Sequence, residues 1–213
     1  SPQNTFANES FMDELANAAG ADSVEFRLRH INDPRAKAVL EAAAKKAGWP
    51  NRPAPSQANL KSGRGVAYVR YDRTEAYVAA VADVEVNPAD GHIRVTRVVV
   101  AHDCGLIINP DGLRNQIEGN VIQAISRTLK EEVKFDRAMV TSLDWREYPI
   151  LRFPEIPEVV IELIDRPDQP SVGAGEATNS AIPAAIANAI CNATNVRLRT
   201  IPFTPERVKA ALG

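Results

Sequence analysis

Apolar residues recur at helical spacing over residues 9–19, where Phe11, Leu15, Ala18 and Ala19 share a face and Gly20 ends the pattern. Asp22-Ser23 opens a second short helix over 22–30. A third runs from Pro34 to Gly48, with proline suited to a first helical turn and glycine to the end. Residues 49–62 break this rhythm. Pro50, Pro53 and Pro55 resist helix and strand interior alike, so the stretch is a linker. Strand-like patterning follows over 64–71, 76–86 and 92–101, which are rich in Val, Ala and Tyr. Asn87-Pro88-Ala89-Asp90-Gly91 is the turn between the last two. Asp111 to Lys130 is a long helix, apolar at Leu113, Ile117, Val121, Ile125 and Leu129. Strands are expected near 131–135, 138–142 and 157–164. A proline-rich stretch from Arg166 to Ser171 leads towards a helix over 181–194 with almost no charge, which should be buried on most sides. Thr204 and Pro205 open a last helix. The expected fold is α+β: a helical N-terminal arm over residues 1–50, then an α+β unit over 51–213 with a sheet and two long packed helices.

Composition narrows the classes. The 213 residues are 45% hydrophobic and 24% charged, an ordinary globular balance that supplies a sizeable core. A net charge of −2 lacks the basic excess of a nucleic-acid partner. The apolar runs fall well short of the ~20 residues that a membrane span needs. Cys104 and Cys191 stand far apart with no CxxC pair, so no zinc or iron–sulfur ligand set is recognisable. A disulfide between them stays open beside the commoner role of buried small hydrophobes. Ser1-Pro2-Gln3-Asn4 shows neither an initiator Met nor a signal sequence, which suggests a processed chain or a piece of something larger. The compartment is left unassigned between bacterial cytoplasm and periplasm.

The strongest candidate for chemistry is Ser171-Val172-Gly173-Ala174-Gly175-Glu176-Ala177-Thr178. Its glycines permit tight turns and close approach to a ligand. Glu176, near the start of the next helix, could act as a general base in a closed pocket. The plainer alternative is a helix-start acid after an ordinary glycine turn. A second candidate is Asp103-Cys104-Gly105 with Asn109-Pro110 and Gln116-Ile117-Glu118-Gly119. Gln116 and Asn120 lie one turn apart, and an amide there could bond a polar cofactor; the alternative is a solvated residue. His102, Asp103 and Cys104 cannot share one ion, because neighbouring strand residues point to opposite faces. No metal bound by protein ligands is expected. Arg70-Tyr71-Asp72-Arg73 is a hairpin turn with solvated charges.

Taken in order, several weak segments form a specific set. They include Pro2-Gln3-Asn4-Thr5-Phe6, Glu9-Ser10-Phe11-Met12-Asp13-Glu14-Leu15, Gly63-Arg64-Gly65-Val66 and Asp103-Cys104-Gly105. Gln116-Ile117-Glu118-Gly119-Asn120, Val172-Gly173-Ala174-Gly175-Glu176 and Pro183-Ala184-Ala185-Ile186 complete it. Over nearly the whole chain this set resembles the C-terminal part of the molybdopterin-binding subunit of the xanthine dehydrogenase/aldehyde oxidase family. Tyr148-Pro149-Ile150-Leu151-Arg152-Phe153 and Phe203-Thr204-Pro205-Glu206-Arg207-Val208 resemble its nicotinate dehydrogenase and isoquinoline 1-oxidoreductase branch.

The resemblance implies a molybdenum-cofactor-binding domain with a mixed sheet, in which Glu176 is the catalytic base. Gln116 would contact the pterin, and Gly173, Ala174 and Gly175 would let the backbone approach the metal site. It implies hydroxylation of an N-heteroaromatic or aldehyde carbon with oxygen from water. The family's Gly-Gln-Gly loop and an arginine-bearing loop are not in this chain, and Ala177 stands where a proline is often found. The cofactor, molybdopterin cytosine dinucleotide, is therefore expected to be shared with a second molybdopterin-binding chain, with 2Fe–2S clusters on a separate iron–sulfur subunit. The competing reading is a non-catalytic fragment that keeps the fold as an interaction or structural module. A large exposed apolar face would favour the enzyme subunit, and polar cover everywhere the module. An independent hydrolase is set aside, since no second acid, nucleophile or metal site accompanies Glu176.

Overall fold

A computed structural model describes residues 2–72 and 75–213. Capping chemistry sets the ends of the N-terminal helices. α1 spans Pro2–Ala18 and so begins a full two turns before the periodicity suggests. Asp22 caps α2 (Ser23–His30) by accepting from the Val24 and Glu25 N–H groups at 2.9 and 3.0 Å. Asp33 does the same for α3 (Pro34–Ala47), which Gly48 closes at φ 73°, a left-handed conformation that favours glycine.

The sheet has the order β1-β2-β3-β4. β1 (Lys61–Arg70), β2 (Tyr77–Val86) and β3 (Ile93–Asp103) pair antiparallel, and β4 (Glu158–Leu163) joins β3 in parallel. The parallel pairing needs a long crossover, which α4 (Pro110–Leu129) and residues 130–157 provide. The strands expected near 131–135 and 138–142 do not form. Only one antiparallel bridge, Phe135 with Val140, links that segment. The apolar alternation is present, but Val133, Phe135, Met139 and Val140 are exposed, and an isolated two-stranded ribbon with no core beneath it is marginal.

Strand periodicity splits the core into two layers. One face of the sheet, with Val78, Ala80, Val98 and Val100, packs with Ile117 and Val121 of α4 and Ile182, Ile186 and Ile190 of α5 (Ile182–Thr194). The other face, with Val66, Ala79, Val81 and Val99, meets Val39, Leu40 and Ala43 of α3. Thr204 caps α6 (Pro205–Leu212), which adds Val208 to the first layer. The fold is therefore α+β, a mixed sheet between helices. Among the described residues no helix is long and apolar enough to cross a membrane.

Two features fix the helices in place. α5 lies on β1 almost backbone to backbone. A Cβ added at Gly65 would collide with Ala185 and Ala189 and lie 2.7 Å from the Asn188 carbonyl carbon. One at Gly63 would lie 2.7 Å from the Ala193 nitrogen. The alanine-rich helix and the Gly-Arg-Gly strand are two sides of one contact. The arm is held by buried ions: Arg27, 1% exposed, donates to the Glu9 carboxylate at 2.8 Å, and Arg197 donates to Asp13 at 2.9 Å. Both cysteines are free thiols.

The end of β3 carries two contrasting groups. Asp103 is fully buried and accepts from Arg35 at 2.5 and 3.1 Å, from Arg166 at 2.5 Å and from the Gly105 N–H at 3.0 Å. Burial alone would raise its pKa, but these donors outweigh burial and hold it below the usual value. His102 is fully buried, and neither ring nitrogen has a partner. Burial pushes its pKa from 6.5 down to about 4, against the pull of the Asp103 charge. The folded chain thus refuses a proton that the unfolded chain accepts. Stability is complete above pH ~6.5 and falls towards pH ~4, where the loss from this group levels off at roughly 3 kcal/mol. Urea unfolding at pH 7 and pH 4.5 should show this loss, and His102→Leu should flatten it; an unchanged slope in the variant would assign the effect elsewhere.

Candidate active site

The glycine loop hangs from a stem zipped to the end of β3. Val172 N–H donates to the Cys104 carbonyl at 3.0 Å, Leu106 N–H to Gln169 at 3.2 Å, and Arg166 N–H to Gly105 at 3.1 Å. Gly105 makes this possible: its φ is 76°, and any Cβ there would strike the Pro170 carbonyl. Asp103 grips the same stem through Arg166.

Beyond the stem, α4 holds the loop. Asn120 Nδ2 donates to the Gly175 carbonyl at 2.7 Å and to the Gln116 carbonyl at 2.6 Å. Its Oδ1 accepts from the Asn179 N–H at 3.0 Å. One carboxamide thereby uses both donor hydrogens and an acceptor lone pair to fix the bend. Gln116 Nε2 reaches the same Gly175 carbonyl only at 3.5 Å, so its exposed amide keeps most of its bonding capacity. Ala174 packs against the core, while Gly173 lies beside Glu75, whose carboxylate oxygen is 2.9 Å from where a Cβ would sit.

Glu176 follows at the lip. A 3-10 turn, Ala177–Ser180, separates it from α5, and it makes no capping bond. Glu176 therefore stands more than a turn ahead of α5, beyond the reach of that helix's dipole. The Tyr71 hydroxyl instead donates to Glu176 Oε2 at 3.0 Å. The Tyr71 phenol is raised in pKa by burial first and by this carboxylate second. Both residues line an open depression of about 190 Å³, together with Asn120, Arg127 and Asn179.

Gln116, Gly175 and Glu176 thus come together in one hydrogen-bonded unit, with Gly173 and Ala174 just upstream. Asn120, noted in the sequence only as a neighbour of Gln116, is the residue that shapes the loop. Tyr71 went unrecognised within a turn read as solvated charges. Nothing local marks a tyrosine that meets a glutamate 105 residues further on. Arg73 of that turn lies outside the described residues. Among the described residues, no group of three or more His, Cys, Asp or Glu is placed to hold a metal ion. The exposed Gln116 amide and the bare backbone at Gly175, where a Cβ would meet only Gln116 Nε2 at 3.6 Å, fit a neutral polar cofactor edge.

Known proteins are similar to this chain in sequence and in fold. Residues 7–157 match the family described as molybdopterin cofactor-binding domain. The chain is 49% identical to a subunit of the nicotinate dehydrogenase of Pseudomonas putida, over 99% of this chain and 18% of that protein. It is 34% identical to the beta subunit of the isoquinoline 1-oxidoreductase of Brevundimonas diminuta, over 94% of this chain and 25% of that one. Among solved structures, the aldehyde oxidoreductase of Desulfovibrio gigas matches in fold with a TM-score of 0.81 at 18% identity, covering 99% of this chain and 41% of that one. Quinoline 2-oxidoreductase of Pseudomonas putida 86 matches with a TM-score of 0.60 at 32% identity, over 64% of this chain and 18% of that one. The chain spans a quarter or less of the length of these two curated relatives. It belongs to the molybdopterin-binding xanthine dehydrogenase/aldehyde oxidase family.

Proposed function

We propose that this chain forms part of the molybdenum-binding component of a multi-subunit hydroxylase, with Glu176 as the base. The observation that carries this reading is the placement of Glu176 at the rim of an open depression, on a loop braced by α4 and tied through one carboxylate oxygen to Tyr71. The net conversion replaces a substrate C–H by C–OH, takes its oxygen from water and releases two electrons and two protons. Bound molybdopterin would supply the metal centre that accepts those electrons. Glu176 would take the proton that water gives up as its oxygen becomes nucleophilic. The Gln116 carboxamide would bond the pterin, and the backbone from Gly173 to Gly175 would allow close approach. The cytosine dinucleotide form is the one we assign.

An N-heteroaromatic is the favoured substrate class over an aldehyde, because the nicotinate, isoquinoline and quinoline enzymes are 49%, 34% and 32% identical to this chain, against 18% for the Desulfovibrio gigas aldehyde oxidoreductase. We assign residues 1–50 as a helical arm and 51–213 as a cofactor-binding half-domain. The other half would come from a second chain, and 2Fe–2S clusters from a third. The apolar segment after α4 supports such a partner. Phe135 is 75% exposed, Leu143 72%, Trp145 71% and Phe153 91%, more than an independent module would leave uncovered.

The test is purification of the native assembly followed by molybdenum and iron analysis. About one molybdenum per chain, with iron on a co-purifying polypeptide, is expected. A stable complex devoid of molybdenum would remove this reading in favour of a structural module.

A further inference from the structure

We propose that Tyr71 is a positioning residue for Glu176. Its phenol anchors Oε2 and so leaves Oε1 as the oxygen that exchanges the proton; this rests on the reading of Glu176 as base.

A glutamate on an exposed loop has three rotatable bonds and many orientations of its carboxylate. Glu176 makes no capping bond to its own turn. Tyr71 supplies a constraint from another element. Its Oη donates to Oε2 at 3.0 Å across the loop. The tyrosine itself is well held. Its N–H donates to the Ala76 carbonyl at 2.8 Å, its carbonyl accepts from Glu75 at 3.2 Å, and its ring packs on the core. A phenol with only two torsions, fixed at its base, is an inexpensive anchor for a flexible acid. Its raised pKa keeps the donor proton in place near neutrality.

Among the described residues, the hydrogen bond that reaches the Glu176 carboxylate comes from Tyr71. Asp72 and Glu75, from the same turn, are acids and cannot donate to a carboxylate. From α4 comes Asn120, whose carboxamide is spent on the Gln116 and Gly175 carbonyls and on the Asn179 backbone N–H. Arg127 is a cation lining the same depression. A carboxylate bonded through one oxygen presents its other oxygen in a defined direction. That arrangement suits proton transfer at a fixed geometry.

Two variants test the idea. Tyr71→Phe keeps the ring and its packing and removes only the hydroxyl. In the assembled enzyme it should lower kcat about ten- to a hundredfold with KM nearly constant and molybdenum content unchanged. A variant at full kcat, or one altered only in KM, overturns the proposal. Independently of turnover, a ¹³Cζ titration of Tyr71 in the 213-residue chain should move to lower pH in Glu176→Gln, where the negative acceptor is gone. An identical titration curve also overturns it, since the two side chains would then not meet in solution. If Glu176→Gln turns over normally while the Tyr71 titration still moves, the base assignment fails and the contact stands.

Discussion

In the assembled enzyme, Glu176→Gln should remove most of the turnover while leaving the bound cofactor in place. The side chains are nearly isosteric, and a glutamine carbonyl can still accept from Tyr71, so the loop keeps its bonds to Asn120 and to the stem. What disappears is the ability to take a proton. A positioned base contributes about 10²–10⁴ in rate, so kcat should fall by that span. Anaerobic mixing with substrate, monitored by reduction of the enzyme's own chromophores, isolates this step from product release. Wild-type reduction rates in the variant would remove Glu176 from the chemistry.

Gly65→Ala should destabilise the fold by more than about 3 kcal/mol. The new methyl would press into the α5 backbone at Ala185, Asn188 and Ala189, where no side chain can rotate aside. Overpacking of an ordinary core costs about 1–3 kcal/mol, and contact with a helix backbone on several sides exceeds that. Against a total stability of about 5–15 kcal/mol, such a loss removes a large share of what keeps the chain folded. Gly119→Ala is the matching control. Its Cβ would meet nothing within 4 Å in the middle of α4, and alanine favours helix over glycine by about 1 kcal/mol. Urea unfolding should therefore move in opposite directions for the two variants. Equal midpoints would mean that α5 and β1 are not pressed together as described.

Much of the fold was legible because its boundaries are local chemistry. Asp33-Pro34 and Gly48 bracket α3, and Thr204-Pro205 opens α6, through caps that act within a few residues. Residues 131–142 misled because alternation alone reads as a strand, whereas a strand needs a neighbour and a covered face. Phe135 and Val140 find one bridge and no cover. At the site, Gln116 and Glu176 were recognisable through their motifs. The Asn120 clamp was half visible, four residues from Gln116. Tyr71 was invisible for a physical reason: its function exists only once β1 and the glycine loop have been folded side by side.

Asp103 unites three distant stretches of chain: Arg35 reaches it from the N-terminal arm and Arg166 from the stem of the glycine loop. One consequence concerns trimming. A shortened protein lacking its first fifty residues would lose half the countercharge of an anion that has no access to water, and the tether beneath the loop would slacken with it. The arm is thus a brace for the loop, and damage to a helix far along the sequence would be felt where Glu176 stands.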